Sequence, residues 1–447
     1  MKRGILYIAF AALCVVGFVA EGIAQEARIA RSEFVCYDRR EDARVGSRTT
    51  TEKYIVVSPT LKFEADAHST DIVRRVYEQQ LTIPASWSDF NAYLHTENVG
   101  ADYVVFINGE QITEPIDQFT PTDIAISPYL VEGDNTLAIV TVEEPYMSRL
   151  DEGLTIAERP MFENCYIFAQ RRVAIYDYHV RLLPDSLDRF AQLHLDFIVA
   201  NAFTTADAIE VGYDIYSPEG RLVEYSVNGR ELAALSLDTV SLRPYIYHSN
   251  PNRWSAENPK LYDLTLYVKR SGIPCEYVPL KVGFAEYGYN DEGQITLFGT
   301  PLTLRRATYN AATDMHTTER EIRQLKASGI NTLTPQYPQP VWFYDICDRV
   351  GMYVIDCAAI SSPTSADNRS VDGTPANAPE LLDDYISRVD AMYRRAQNHV
   401  CIIAFSLGNN PSGNGYNMYK AYEHLKAYGD SRAIIYEGAE GEWNSDL

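Results

Sequence analysis

The period of the hydrophobic pattern changes once along this 447-residue chain, near Gly283, and that change constrains the fold more than any other feature. Between residues 54 and 142, apolar and polar residues alternate over short segments such as 54–57, 102–107 and 135–142. Turn signals at Asn108-Gly109 and Glu132-Gly133-Asp134 separate them. Alternation over short runs means strands with one buried face, and Asn-Gly directly after residues 103–107 marks a hairpin. Residues 173–283 repeat the pattern at 193–199, 210–215, 221–227 and 261–268, with a loop at 251–259 that carries Trp254. Strands at roughly ten-residue spacing, with no helical stretch between them, predict a second sandwich of immunoglobulin type.

Past Gly283, strands are expected at 295–297 and 302–307. A helix follows at 317–328, where Ile322, Leu325 and Lys326 fall at helical spacing, and then a strand at 331–334. Helices at 341–349, 379–397 and 416–428 lead to strands at 352–355, 400–405 and 433–436. Strands alternating with helices predict βα units on a parallel sheet. In barrels built that way, chemistry sits at the C-terminal ends of the strands. The string CIIAFSLGNN, residues 401–410, puts Asn409 and Asn410 at such an end. Read alone, the pair is also an ordinary strand-to-loop turn, because Asn tolerates left-handed backbone and bonds its own chain. Residues 361–379, rich in Ser, Asp, Asn, Pro and Gly, form a long loop after a strand, where an active-site loop would lie.

The length fits about three domains of ~150 residues each, and a hydrophobic content of 46% is enough to fill their cores. The 32 tyrosines suit strand packing and carbohydrate stacking alike; Trp87 and Tyr93 are read as an aromatic rim on the first sandwich. Lys2 and Arg3, the apolar run 4–20 and the small residues Gly22 and Ala24 read as a secretory signal peptide, so export to the periplasm or outside the cell is expected. Cys14 follows the bulky Leu13, which disfavours lipidation. No later run reaches the ~18 apolar residues that a membrane span needs.

The net charge is −22, and Lys2, Arg3 and Glu21 give residues 1–24 a charge of +1, leaving −23 beyond them. Such an acidic chain is a poor partner for nucleic acid. Cys36, Cys165, Cys275, Cys347, Cys357 and Cys401 show no paired spacing, which argues against zinc; export permits disulfides, though a chain this size does not need them, and several of the six sit in apolar strand-like runs as small core residues. His248, His316, His399 and His424 show no ligand spacing. There is no glycine-rich phosphate loop and no Gly-x-Ser-x-Gly elbow, so neither a metal nor a cofactor is expected.

The order of parts and several strings resemble glycoside hydrolase family 2, the β-galactosidase and β-glucuronidase group. DYVVFING (102–109) and EGDNTLAIVTV (132–142) are similar to strands of that family's sugar-binding sandwich, and WSAENPKLY (254–262) to its middle-domain loop. Val282, Gly283 and Phe284 resemble the link into its barrel, and YDICDRVGMYVID (344–356) and SLGN (406–409) resemble barrel strings. The resemblance implies a multidomain β and α/β chain: a signal peptide at 1–24, a jelly-roll-like galactose-binding-type sandwich at 25–172, an immunoglobulin-like sandwich at 173–286, and a partial (β/α)8 TIM barrel at 287–447. It also implies retaining hydrolysis by two carboxylates ~5–5.5 Å apart, one the acid/base and one the nucleophile.

In the family pattern a Glu follows the Asn that matches Asn409, and here that position is Asn410. An amide cannot supply the proton, and general acid–base help is worth about 10²- to 10⁴-fold. Asn409 keeps its match and is expected to hydrogen-bond a sugar hydroxyl. Asp356 and Cys357 stand where an Asp-Glu step is frequent. Ser361 and Pro363 stand near the Glu and His of metal-binding galactosidases, so a hard cation is not expected there. RRATYN (305–310) replaces a family string rich in Asn, Arg, His and Glu, and TPQY (334–337) lacks the Arg and His expected at the second strand.

The family's nucleophile belongs to the seventh barrel strand, past Leu447, and residues 296–447 hold about five strands where a whole barrel takes ~250 residues. A truncated gene product, a partner that completes the barrel, and a drifted domain each fit. Glu437, Glu440, Glu442, Asp356, Asp314 and Glu319 are the remaining carboxylates, and each also reads as a solvated loop charge or helix-start residue. The expected function is that of a β-galactosidase-like carbohydrate protein whose hydrolysis is impaired or lost, with a β-glycoside or polysaccharide as partner. The alternatives are a glycan-binding protein that stacks sugar on Trp87, Tyr93 and Trp254, and an assembly protein that pairs through the open barrel edge.

Overall fold

The computed structural model describes residues 28–29, 31–46, 53–67, 72–143, 150–154, 160–183, 190–247, 252–362, 374–410 and 412–447. The signal expected at 1–24, His248 and Pro363 lie outside the described residues. No helix of the described residues is long and apolar enough to cross a membrane.

Alternation builds the first sandwich from two five-stranded sheets. Tyr103–Ile107 shows the pattern directly: Tyr103, Val105 and Ile107 are buried while Val104 and Phe106 are partly exposed. Asn108 and Gly109 take positive φ (53° and 85°) at the turn, as a tight hairpin requires. Leu81, Leu94, Val105, Ile124, Leu137 and Ile167 close the core between the sheets. A short strand, Arg28–Ile29, adds to the edge beside Thr122–Ala125. The second sandwich packs Val173–Leu183, Phe190–Asn201 and Ser236–Leu242 against Leu222–Leu232, Asp207–Tyr216, Tyr262–Arg270 and Ile273–Val282. Its sheets are antiparallel throughout.

Beyond a small antiparallel hairpin, five parallel strands run in chain order: β1 (Arg306–Thr308), β2 (Thr332–Thr334), β3 (Tyr353–Cys357), β4 (Ile402–Ser406) and β5 (Ala433–Ile435). Helices α1 (Met315–Ala327), α2 (Val341–Val350), α3 (Leu382–Ala396) and α4 (Tyr416–Lys426) connect them. Asp314 caps α1 by accepting from the Thr317 N–H. At the far end of α2, Gly351 takes φ 82° with its ideal Cβ position 2.5 Å from the Ala256 carbonyl oxygen, so only glycine fits there. Strands β3 and β4 are buried on both faces, as a sheet under helices requires.

Three expectations change. The strand expected at 302–307 is confined to β1, because the ladder begins only where the Arg305 carbonyl accepts from the Asn331 and Thr332 N–H groups. The segment 295–297 is a strand, but it pairs antiparallel with Tyr287–Tyr289 and stays out of the parallel sheet. The proposed stacking surface is closed: Trp87, Tyr93 and Trp254 are 6%, 7% and 0% exposed. Trp254, from the middle-domain loop, enters the barrel core, lies edge-on to Tyr353 and donates its Nε1–H to the Asp348 carbonyl at 2.8 Å. An indole buried that way packs two domains together and offers no face to sugar.

Candidate active site

The C-terminal ends of β1 to β5 open onto a cavity of about 400 Å³. Arg306 and Thr308 from β1, Thr334 and Gln336 around β2, Cys357 from β3, Ser406, Asn409 and Asn410 after β4, and Glu437 after β5 line it. Ile355 and Cys357 face this space, so strand alternation turns Asp356 the other way, into the helix layer.

The loop after β4 is held by its own polar groups. Ser406 Oγ donates to the Gly408 carbonyl at 3.0 Å, and the Asn409 N–H donates to the Ile360 carbonyl at 2.8 Å. Gly408 lies so close to the next loop that its ideal Cβ position is 3.0 Å from that same Ile360 oxygen. The Asn409 side-chain amide donates to the Gln336 and Ile360 carbonyls at 2.7 and 3.2 Å, which leaves its Oδ1 as the group able to accept from a ligand. Asn410 is exposed at the rim. Cys357 is an inert thiol, pushed up to about 12 by burial.

Glu437 is the one carboxylate among the described residues that line this mouth. Its Oε1 lies 3.7 Å from Arg306 Nη1, so the residue after the last strand reaches the first strand across the cavity. Both side chains are well exposed, at 68% and 42%, so the link is weak and open to exchange with a ligand.

The other carboxylates singled out in the sequence do not meet here. Asp314 is a helix cap. Glu319 pairs with Arg323 and Arg349, whose hydrogen bonds hold it down to about 2. Glu440 sits at φ 51° in the exposed turn after β5, and neither it nor Glu442 lines the mouth. Ser361 donates its hydroxyl to the Glu152 carbonyl, which ties its loop to the first sandwich.

Asp356 is fully buried, accepts from Tyr344 Oη at 2.8 Å through Oδ1, and has no partner at Oδ2. Burial pushes its carboxyl up to about 7. The folded value lies above the unfolded one, so ionisation opposes folding. Stability from this site is therefore intact below about pH 4 and is lost as pH rises to about 7. Replacing Asp356 with Asn removes that dependence. Between pH 4 and pH 8 the stability difference should move in favour of Asp356→Asn by a few kcal/mol, read from urea unfolding at the two pH values. A difference that stays flat with pH would show that this carboxyl is ionised in the fold.

One grouping was invisible to sequence spacing. Asp345 and Asp348 on α2 and His399 before β4 bring ligand-type atoms within 4.8 Å of one another. Asp348 accepts from the Cys401 N–H at 2.7 Å and meets His399 Nδ1 at 2.9 Å, a network that fixes the start of β4 to α2. It could hold a cation in principle, but none of its members lines the mouth. His424 bonds Asp390, and His316 is exposed. The six described cysteines are buried and unpaired.

With the geometry set out, comparison with known proteins gives three family matches: "Glycosyl hydrolases family 2, sugar binding domain" over residues 47–178, "Glycosyl hydrolases family 2" over 173–284, and "Glycosyl hydrolases family 2, TIM barrel domain" over 306–446. A β-galactosidase of Streptococcus thermophilus is 29% identical over 376 residues, covering 81% of this chain and 35% of that protein. One of Priestia megaterium is 29% identical over 377 residues, covering 81% of this chain and 36% of that protein. The chain thus spans about a third of the length of these curated relatives. Among solved structures, a Bacteroides uniformis β-glucuronidase superposes with a TM-score of 0.68 at 19% identity, covering 81% of this chain and 46% of that one. A Bacteroides vulgatus β-glycosidase gives a TM-score of 0.65 at 20% identity, covering 83% and 47%. At these identities the likeness to the solved structures concerns the fold.

Proposed function

Because the chain belongs to glycoside hydrolase family 2, we propose that it engages a β-glycoside or polysaccharide at the mouth of its parallel sheet, with hydrolysis impaired or absent. The observation that carries this reading is the lining of the mouth among the described residues: an exposed amide, Asn410, at the rim and a single carboxylate, Glu437. Retaining hydrolysis takes two carboxyl groups about 5–5.5 Å apart, one of them held protonated for the leaving oxygen. Asn410 has no proton to give at any working pH. Glu437 has only an exposed contact with Arg306 at 3.7 Å to orient it.

Binding asks less of these residues. Arg306, Thr308, Thr334 and Gln336, with the Oδ1 of Asn409, give the mouth donors and acceptors of the kind sugar hydroxyls use. A ligand hydroxyl or carboxylate that pairs with Arg306 would release Glu437.

The test is an assay of the purified protein on aryl β-galactosides and β-glucuronides beside binding to a glycan array. Glycan binding without product release is the expected result. Turnover that persists in Asn410→Ala and is lost in Glu437→Gln would replace this reading with a working enzyme that uses Glu437.

A further inference from the structure

The middle sandwich leaves one long sheet edge open. The 11-residue strand Leu222–Leu232 is outermost in its four-stranded sheet and, among the described residues, pairs only with Asp207–Tyr216. Proteins ordinarily blunt such an edge with proline, lysine, a bulge or a covering segment. The opposite edge of the same sheet is blunted in that way. Ile273–Val282 carries Pro274 and Pro279, and Tyr37 bridges it through backbone hydrogen bonds of 2.9 and 2.8 Å with Tyr277. Leu222–Leu232 has neither proline nor lysine, and its one register shift lies at its start, opposite Ile215 and Tyr216.

The side chains of this strand divide by face. Glu224, Ser226, Asn228 and Arg230 stand opposite Ile215, Tyr213, Val211 and Ile209, all residues of the sandwich core, so they share its inward side. Tyr225 and Val227 stand opposite Asp214 and Gly212 and point outward, 65% and 47% exposed. Inward positions of a sandwich strand are ordinarily apolar, whereas here they are polar. Nearby charges pair among themselves, Arg40 with Asp214 and Arg270 with Asp207, and no ion pair of the described residues includes Glu224 or Arg230.

The order of these residues is self-complementary. Antiparallel pairing with a second copy about a two-fold axis at Val227 sets Glu224 opposite Arg230 twice, Tyr225 opposite Gly229 twice, Ser226 opposite Asn228 twice, and Val227 opposite itself. Opposite charges, and an aromatic ring across from glycine, are favourable cross-strand pairs. Moving the axis to Ser226 or to Asn228 would set Glu224 against Asn228 or Leu232 and lose both charge pairs.

We propose that Leu222–Leu232 is a self-association edge on which a second copy of this chain docks antiparallel in the Val227 register, joining the two sheets into one. Backbone hydrogen bonds supply the attraction and the charge pairs select the register. An interface built on one strand from each side is small, so a Kd of about 1–100 μM is expected. None of these residues lines the mouth, and loss of sugar binding would leave the proposal untouched.

The experiment is sedimentation velocity of the full chain across about 1–300 μM, with circular dichroism to show that each variant is folded. A reversible monomer–dimer equilibrium is expected. Val227→Lys sets two like charges at the axis and should leave the chain monomeric. Glu224→Arg and Arg230→Glu each make both charge pairs repulsive and should weaken dimerisation roughly tenfold, while the double reversal restores it. A chain still monomeric at the highest concentration would overturn the proposal and leave this edge to a strand from a different protein. A dimer indifferent to Val227→Lys would overturn it as well. So would a double reversal no tighter than the single ones, because the Val227 register requires rescue.

Discussion

Replacing Arg388 with Met is expected to destabilise the protein by about 3–5 kcal/mol, because it removes one partner of a buried charge network and leaves the others behind. Arg388 projects from α3 with 5% of its side chain exposed, pairs with Asp151 at 8%, and donates to the Ala359 carbonyl. Asp117 and Asp102 of the first sandwich add to its field. Burial pushes Asp102 up to about 7, with Arg388 pulling it back, and the same balance leaves Asp151 raised. Without the guanidinium both carboxyls rise further. Their folded values then exceed the unfolded ones by more, so ionisation opposes folding and acid relieves it. The variant should regain stability as pH falls from 7 toward 5, while a simple packing defect would not respond to pH. Denaturant midpoints at pH 7 and pH 5 read both effects, and a midpoint equal to wild type at pH 7 would show that the network is solvated.

Trp254→Ala should cost a comparable amount, about 3–5 kcal/mol, since a large buried aromatic leaves a cavity that its surroundings fill only in part. Here the loss also strands the Asp348 carbonyl, which accepts from the indole at 2.8 Å. Trp254→Phe keeps much of the volume and loses the hydrogen bond, so it should cost clearly less. Because the indole belongs to the middle domain and sits in the barrel core, the alanine variant should also expose the 252–260 loop to protease before global unfolding. Cleavage no faster than in wild type would mean that the domains stay docked by other contacts.

Local period made the element types legible. Helices α1, α2 and α4 begin or end within two residues of the sequence expectation, and α3 is trimmed because residues 379–381 form a tighter turn first. What period cannot say is which neighbour covers an aromatic residue. Trp254 in a loop rich in Asn and Pro read as a platform, yet an element about 90 residues later in sequence supplies its acceptor. The Asp345, Asp348 and His399 grouping escaped for the same reason, since one helical i,i+3 pair meets a residue about 50 positions away only through the sheet.

At the mouth, Asn410 stood out only against the family string it resembles, and the domain order was legible from the matching motifs. The Arg306 and Glu437 link was not, because no local rule sets the distance between the two edges of a five-stranded sheet. The edge strand Arg28–Ile29 had no signal either, since two residues are too few to show alternation.

The two outer strands of the parallel sheet carry only three residues each, Arg306–Thr308 and Ala433–Ile435, while the strands between them are up to five long. A rim that short presents at most a couple of unsatisfied amide rungs, too few to template a foreign ribbon. Among the described residues, the brevity of these two strands limits how far either edge could pair with another ribbon.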